Sequence, residues 1–209
     1  MKGSIEIFDL VAQAVVEAEL VDEVTTDDFL VTQLEWRPVV VEATRELVRL
    51  RAHDLVPGHF HWDWTRKAAQ LELLAVSFIA IRCAGSLQGL MKIETAGHEC
   101  RLPEQAGKPL VYIDYLETAP WNVKSLMKAL DRPTRYGGVG SRLIEAAVRR
   151  SLAEEFRGRV GLHSLPTSER FYIEACGMTP VGRDPAKQNL LWCEFTPEQA
   201  EAFLTKGAP

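Results

Sequence analysis

A run of glycines directly before the most regular helical pattern is the feature that most constrains this sequence. Residues 135–141 read Arg-Tyr-Gly-Gly-Val-Gly-Ser, and apolar residues then recur every three or four positions from Val139 to about residue 156. Glycines let the main chain approach a ligand closely, and the free N–H groups at a helix start form an anion site. The segment therefore predicts a phosphate-binding turn; the alternative is a glycine-rich turn that only begins a helix.

Two familiar phosphate-binding motifs do not fit this segment. A Walker P-loop ends in Gly-Lys followed by Ser or Thr, whereas here Gly140 is followed by Ser141 and Arg142. A dinucleotide-binding fingerprint has the spacing GxGxxG after a first strand, with an acidic residue about 20 positions further on. The glycines here are spaced GGxG and lie late in the chain, so neither motif is supported.

Composition and charge exclude several classes of function. The chain has 209 residues, 46% hydrophobic and 25% charged, which suits one globular domain with a substantial core. Its net charge of −5 argues against a sequence-independent binder of nucleic acid or of an anionic membrane. The longest largely apolar stretch, 73–81, is interrupted by Ser77, and a bilayer span needs about 20 residues. The four cysteines form no CxxC pair, so we expect reduced thiols in a cytoplasmic protein.

The beginning of the chain shows two different periodicities. Over the first 28 residues apolar side chains are spaced by three or four positions, as in an amphipathic helix: Ile5, Phe8, Val11, Val15 and Ala18. Apolar and polar residues then alternate over 30–37, which predicts a strand, and Pro38 is expected to open a helix to about residue 53. We therefore expect an N-terminal helical extension over 1–28 and a single domain over 29–209.

Periodicity and turn signals predict a mixed α/β fold for the rest of the chain. Further helices are expected near 65–74, 139–156, 167–176 and from Pro197 onward. Strands are expected near 78–81, 87–94, 110–118, 159–163, 178–183 and 189–195. Helices interspersed with strands in this way favour one layered mixed sheet flanked by helices.

The glycine segment and a second element together resemble the GNAT superfamily of acyl-CoA-dependent N-acetyltransferases. The hallmark of that family is Arg/Gln-x-x-Gly-x-Gly/Ala at the start of a helix after the central strand, and Arg135-x-x-Gly138-x-Gly140 satisfies it. A short helix that carries a tyrosine and leads through a glycine into the next strand is matched by residues 171–178. The resemblance covers roughly 29–196 and implies a GNAT-like mixed sheet with splayed central strands.

The resemblance implies that acetyl-CoA is the acyl donor and assigns residues to it. Main-chain amides would hold the CoA pyrophosphate, at Tyr136, Gly137, Gly138, Val139, Gly140 and Ser141, and the flanking Arg135 is expected to bind the CoA phosphates as well. The end of the central strand would pair with the pantetheine arm, at Tyr115, Leu116 and Glu117. The family often has Asn seven residues before the tyrosine of the second element, where this chain has Leu165.

Acyl transfer to an amine needs a base, donors to the oxyanion and an acid for the departing thiolate. By resemblance Tyr172 would protonate the thiolate; the alternative is a packed aromatic side chain. Glu117 is the candidate base, directly or through water, and the alternative is a solvated carboxylate at a strand end. Strict alternation along the strand would place Glu117 on the same face as Ile113 and opposite Asp114.

A long excursion separates the central strand from the glycine segment. Residues 120–134 leave the strand near the expected thioester and return to Arg135, where the family usually has only a few residues. Trp121 and Asn122 come first, and we expect them to line the acceptor pocket by apolar contact and hydrogen bonding. The remainder is expected to form a one-turn helix on the body of the domain or a lid that sets acceptor choice.

An aromatic loop over 57–64 contains the pair His59 and His61. No second cluster supplies further ligands, so we expect no metal site there. The aromatic residues of the loop are either packed in the core or form the lip of a substrate pocket: Phe60, Trp62 and Trp64.

The sequence therefore predicts an N-acetyltransferase that moves an acetyl group from acetyl-CoA to an amine, carried by a small molecule, a peptide N-terminus or a lysine. The alternative is a catalytically silent acyl-CoA-binding sensor or partner module of the same fold. No nucleic-acid or membrane partner is expected. The sequence leaves the oligomeric state open, a homodimer included.

Overall fold

A computed structural model describes residues 2–59 and 61–206. Its strands are β1 (Lys2–Asp9), β2 (Ala14–Val21), β3 (Val76–Cys83), β4 (Ser86–Glu94), β5 (Val111–Thr118), β6 (Tyr136–Gly137), β7 (Val160–Ser164), β8 (Thr179–Asp184) and β9 (Leu190–Glu194). They form one nine-stranded sheet in the order β6-β1-β2-β3-β4-β5-β7-β9-β8. Every neighbouring pair is antiparallel except β5 and β7, which run parallel.

Helices cover both faces of this sheet. They are α1 (Thr26–Val31), α2 (Arg37–Arg49), α3 (Lys124–Ala129), α4 (Val139–Ala153) and α5 (Pro197–Lys206). Helix α4 lies so close to β4 that a methyl group at Gly89 would stand 2.8 Å from Cγ1 of Val139. The side chains of α4 and α5 form the larger core with one face of the sheet, and Phe29, Trp36 and Trp64 pack on the other face.

The N-terminal segment is a β-hairpin, so the expectation of a helical extension over 1–28 is wrong. Strands β1 and β2 pair along their whole length, and β2 continues the sheet onto β3. The buried residues Ala18 and Leu20 alternate as a strand requires. Val11 and Val15, which supported the helical spacing, are 54% and 61% exposed, because they lie in the turn and at the open start of β2.

The expected strand over 30–37 is also wrong, because this part of the chain is helical. Helix α1 continues through one π-helical turn over Thr32–Trp36 into α2, and Pro38 lies in the first turn of α2 as expected. Leu34 is 74% exposed, so the alternation of apolar and polar residues did not mark a buried face. The extra residue of the π-turn breaks the 3.6-residue period that would have indicated a helix.

The excursion after β5 is a packed part of the body. It contains a 3₁₀ turn over Pro120–Asn122 and helix α3, whose Leu126 and Met127 are buried against α2. The expected one-turn helix is therefore present, and it serves as core. The expected helix over 65–74 is shorter, a 3₁₀ helix over Thr65–Gln70.

Strands β3, β4, β5, β7, β8 and β9 and the long helix α4 agree with the sequence-based expectation to within a few residues, whereas the two-residue strand β6, which pairs with β1, was not expected. The capping box that opens α5 also forms, because Thr196 and Gln199 exchange side-chain-to-main-chain hydrogen bonds. The four cysteines are buried and unpaired. Within the described residues, no helix is both long enough and apolar enough to cross a membrane.

Candidate active site

The two parallel strands at the centre of the sheet separate toward their carboxyl ends. β5 pairs with β7 only where Val111–Ile113 lie opposite Val160–Leu162. Beyond Ile113 the β7-facing N–H and C=O groups of β5 have no strand partner, although the other edge stays paired with β4 through Thr118. The sheet therefore opens beside residues 114–118. The main-chain groups of these residues that face the opening are available to a ligand.

A cavity of about 1130 Å³ fills this opening. It is bounded by the diverging strands, by the glycine turn before α4, by the aromatic loop and by the segment that carries Tyr172. Most of the residues proposed from sequence are brought together here: Tyr115, Leu116, Glu117, Asn122, Tyr136, Gly137, Gly138, Val139, Gly140 and Tyr172.

A β-bulge in β5 decides which side chains face the cavity. Lys92 of β4 lies opposite Tyr115, while the next residue, Ile93, lies opposite Ile113, so Asp114 is the extra residue. Glu117 consequently points to the face opposite Ile113, and the expectation from strict alternation is wrong. We call the side of β5 that carries Tyr115 and Glu117 the Glu117 face.

Glu117 is buried in the wall of the cavity, on the side of the aromatic loop. Only 9% of its surface is exposed, and its Oε2 accepts a 2.7 Å hydrogen bond from the indole Nε1 of Trp64. Burial raises the pKa of Glu117 to about 7, although the bond from Trp64 favours the ionised form. The carboxyl group is thus poised to exchange a proton near neutral pH.

His59 lies beside the same carboxyl group and is uncharged. Its Nε2 stands 3.8 Å from Oε1 of Glu117, and burial lowers the pKa of His59 to about 4. A neutral imidazole does not compensate the charge of Glu117, which therefore loses its proton less readily than a paired carboxylate would. Among the described residues, no cluster of His, Cys, Asp and Glu side chains is arranged to hold a metal ion.

The glycine turn exposes main-chain N–H groups at the start of α4. Gly138 caps the helix in the left-handed conformation, with φ of 82°, and no side chain of the described residues caps the end. The first helical bond runs from the N–H of Arg142 to the oxygen of Gly138, so the amides of Val139, Gly140 and Ser141 have no acceptor within the helix. This arrangement suits a bound anion.

Two basic residues that flank the turn point elsewhere. Arg135 is half exposed and lies 3.3 Å from Oδ2 of Asp9, and it does not line the cavity. Arg142 donates to the main-chain oxygen of Glu6 and pairs with Glu145. The free main-chain amides of the turn therefore form this anion site without Arg135 or Arg142.

Asn122 and Trp121 hold the turn in place from behind. The side chain of Asn122 accepts a hydrogen bond from the main-chain N–H of Tyr136 and donates one to the side chain of the buried Gln88. The indole of Trp121 also donates a hydrogen bond to Gln88. The amide of Tyr136 is thus already occupied. Asn122 lines the cavity beside the glycine turn, and Trp121 is not among the lining residues; a role of either residue in binding the acceptor stays a prediction.

Tyr172 lines the cavity, in a segment that packs against the glycine turn. It lies in a π-helical turn over Phe171–Ala175, and it is almost completely buried. Burial raises the pKa of Tyr172 well above its ordinary value, so the phenol keeps its proton at neutral pH. A Cβ atom at Gly140 would stand 3.3 Å from Cζ of the neighbouring Phe171, so this segment packs directly against the glycine turn.

The aromatic loop forms the wall beside Glu117. Trp62 and Trp64 both make edge contacts with the ring of Tyr115, with centroids 4.7 Å and 6.0 Å away. Trp62 lines the cavity, whereas Trp64 is core and serves as the partner of Glu117. Phe60, the third aromatic residue of the loop, lies outside the described residues. The role of Trp64 was not visible in the sequence, because 52 residues separate it from Glu117.

Comparison with solved structures identifies the fold. The chain is similar to the aminoglycoside acetyltransferase AAC(6')-Ib with coenzyme A and kanamycin, at 15% identity and a TM-score of 0.53, over 88% of this chain and 98% of that one. A second structure of AAC(6')-Ib, with acetyl-CoA, matches at 15% identity and 0.53 over 88% and 96%. A structure described as a bacterial toxin matches at 14% identity and 0.50 over 71% and 81%.

The protein has the GNAT fold, the fold of these acetyltransferases. The similarity is one of architecture: no protein-family model matches the sequence, and no curated protein matches it.

Proposed function

We propose that this protein is an N-acetyltransferase that moves an acetyl group from acetyl-CoA to a primary amine. The observation that carries the proposal is Glu117, a buried carboxyl group with a pKa of about 7 that lines the opening between the two parallel strands. An amine that attacks a thioester must first lose a proton, and a base works best when its pKa is close to the working pH.

The donor site is proposed on the glycine turn and the free edge of β5. The amides of Val139, Gly140 and Ser141 would meet the pyrophosphate, and the left-handed Gly138 brings the main chain to it. The unpaired main-chain groups of β5 beyond Ile113 would bond to the amides of the pantetheine arm, much as a further strand would. The solved complexes of AAC(6')-Ib with coenzyme A or acetyl-CoA support this ligand class.

The acceptor is proposed to enter on the Glu117 face. Glu117 takes the proton of the ammonium, directly or through a water, and the amine then attacks the thioester carbonyl in the opening between β5 and β7. Tyr172, which also lines the cavity and is protonated at neutral pH, donates to the departing sulfur. The acceptor is proposed to be an amine of a small molecule, a peptide N-terminus or a lysine, and Glu117 and the ring of Tyr115 offer its cationic form a carboxylate and an aromatic face.

The test measures thiol release from acetyl-CoA with a panel of primary amines, in wild-type protein and in Glu117→Gln. The glutamine keeps an acceptor for the Trp64 indole but cannot take a proton, so turnover should fall by about 10²–10⁴ while acetyl-CoA still binds. The rival function is a silent acyl-CoA sensor of the same fold. That function would show acetyl-CoA binding by calorimetry and no thiol release with any amine.

A further inference from the structure

We propose that Lys67 is an internal acceptor: its ε-amine takes an acetyl group from acetyl-CoA bound to the same chain. The inference rests on the proposed function, because the donor, the base and the acid are those of that reaction. It adds a modification site within the cavity and a substrate that the protein carries itself.

The ammonium of Lys67 lies inside the cavity. The residue belongs to the 3₁₀ helix Thr65–Gln70, and its side chain is half-buried. Its Nζ stands 3.7 Å from the centroid of the Tyr115 ring. Tyr115 belongs to the part of β5 that has separated from β7, so this amine already occupies the Glu117 face, where the proposed acceptor would enter.

One indole ring connects this amine to the proposed base. The Nζ of Lys67 lies 5.5 Å from the centroid of the Trp64 ring, and the Nε1 of that ring donates to Glu117 at 2.7 Å. Lys67 and Glu117 also line the same cavity. The amine therefore lines the same cavity as the proposed base and lies against the part of β5 that has separated from β7.

The bonding of Lys67 leaves its amine able to react. Among the described residues it has no carboxylate within 4.0 Å, and its one hydrogen bond is a long one, 3.4 Å to the main-chain oxygen of Asp63. Burial lowers the pKa of Lys67, although the charges of Asp114, Asp63 and Glu117 favour the ammonium and only Lys92 opposes it. A cation held by ring faces and distant charges can lose its proton and move.

A second lysine in the same region shows the opposite arrangement. Lys92 is buried, and its Nζ lies 2.6 Å from both Glu94 and Asp114. These two carboxylates raise the pKa of Lys92 against the effect of burial and fix its position. Lys92 is therefore a built-in comparison, a nearby lysine that should remain unmodified.

The proposed step balances. The N–C bond of an acetamide forms at Nζ of Lys67, and the C–S bond of acetyl-CoA breaks. The ammonium loses two protons: one leaves through Glu117 to solvent, and the other ends on the sulfur of CoA, delivered by Tyr172, which is then reprotonated. The product is Nε-acetyl-Lys67 with free CoA, and the positive charge over Tyr115 is lost.

The experiment incubates purified protein with acetyl-CoA and no added amine. Intact-mass measurement should show the gain of one acetyl group, at a first-order rate independent of protein concentration, and peptide mapping should place it on Lys67. Lys67→Arg keeps a cation over Tyr115 and should abolish the gain, whereas Lys128→Arg, an exposed lysine outside the cavity, should not. Glu117→Gln should slow modification of Lys67 by about 10²–10⁴.

Thiol release with added amines is measured on the same samples, so that the two proposals are separated. Amine turnover with Lys67 unmodified would overturn the internal acceptor and leave the proposed function standing. Modification spread evenly over exposed lysines, or unaffected by Glu117→Gln, would show unassisted chemical acetylation and also overturn it. Binding of acetyl-CoA with neither amine turnover nor mass gain would overturn both.

Discussion

The indole Nε1 of Trp64 donates a 2.7 Å hydrogen bond to the carboxyl group of Glu117, and both side chains are buried. The bond fixes the direction of the carboxyl group and favours its ionised form, while burial works against that form. Burial outweighs this hydrogen bond and the charges of Lys67 and Arg37, so the pKa of Glu117 is raised to about 7, where a proton acceptor for an amine is most useful.

The pH profile should report this balance. Glu117 must be deprotonated to act, so kcat/KM should rise as the pH increases through about 7. Trp64→Phe removes the hydrogen bond that lowers the pKa of Glu117, so the rising limb should move to higher pH. Initial rates of thiol release across pH 5–9 in both proteins test this. If kcat/KM rose at the same pH in Trp64→Phe as in wild type, a group other than Glu117 would control the pH dependence.

The buried carboxyl group should also cost stability. The pKa of Glu117 is raised from 4.5 to about 7 on folding, so the folded state binds more protons between these values and unfolding becomes easier as the pH rises. At pH 8, where Glu117 is ionised in both states, this shift lowers the free energy of unfolding by roughly 3 kcal/mol relative to its value below pH 4.5. Glu117→Gln should therefore gain stability over wild type as the pH increases from 4.5 to 7. Denaturant unfolding that shows a pH-independent difference would contradict the buried, raised carboxyl group.

Tyr172→Phe removes one hydroxyl group and keeps the ring in its packed position. If Tyr172 is the acid, turnover should fall by about 10²–10⁴, and acetyl-CoA affinity should change little. Single-turnover rates with acetyl-CoA and calorimetric binding measure the two effects separately. An unchanged single-turnover rate in Tyr172→Phe would mean that another group donates the proton to the departing sulfur.

Much of the fold follows from the sequence where one local signal dominates. The strands β3 and β4 are short apolar runs joined at a glycine, and α4 has a regular apolar face, so their positions agree with expectation. The N-terminal hairpin was not predictable in this way, because Val11 and Val15 give a helical spacing but are exposed. The pairing of β2 with β3 joins residues that lie about 60 positions apart.

The glycine turn was predictable because its residues are close together in sequence. Its left-handed Gly138 and the helix start are main-chain features, which a short motif can describe. The wall proposed for the acceptor depends on distant contacts: the β-bulge at Asp114, the indole of Trp64 and the amine of Lys67. A bulge leaves no clear mark in a single sequence, and strict alternation therefore assigned Glu117 to the wrong face.

The anion-binding role of the glycine turn can be separated from its conformational strain. Gly138 and Gly97 have the same φ of 82°, and Gly97 lies in open space outside the cavity. Gly138→Asp and Gly97→Asp should each lose about 1–2 kcal/mol of stability from the left-handed conformation. Only Gly138→Asp places a carboxylate at the proposed pyrophosphate site, so only that variant should lose acetyl-CoA binding by calorimetry. Equal affinities in the two folded variants would place the donor elsewhere.

The most direct test of the central claim is the rate of acetyl transfer from acetyl-CoA to a primary amine, measured together by thiol release and by the mass of the acetylated amine. Wild-type protein should release one CoA for each N-acetylated amine formed, and Glu117→Gln should do so about 10²–10⁴ times more slowly with acetyl-CoA still bound. Equal rates in the two proteins would contradict the assignment of Glu117 as the base. Bound acetyl-CoA without any acetylated amine would contradict the proposal that the protein is an N-acetyltransferase.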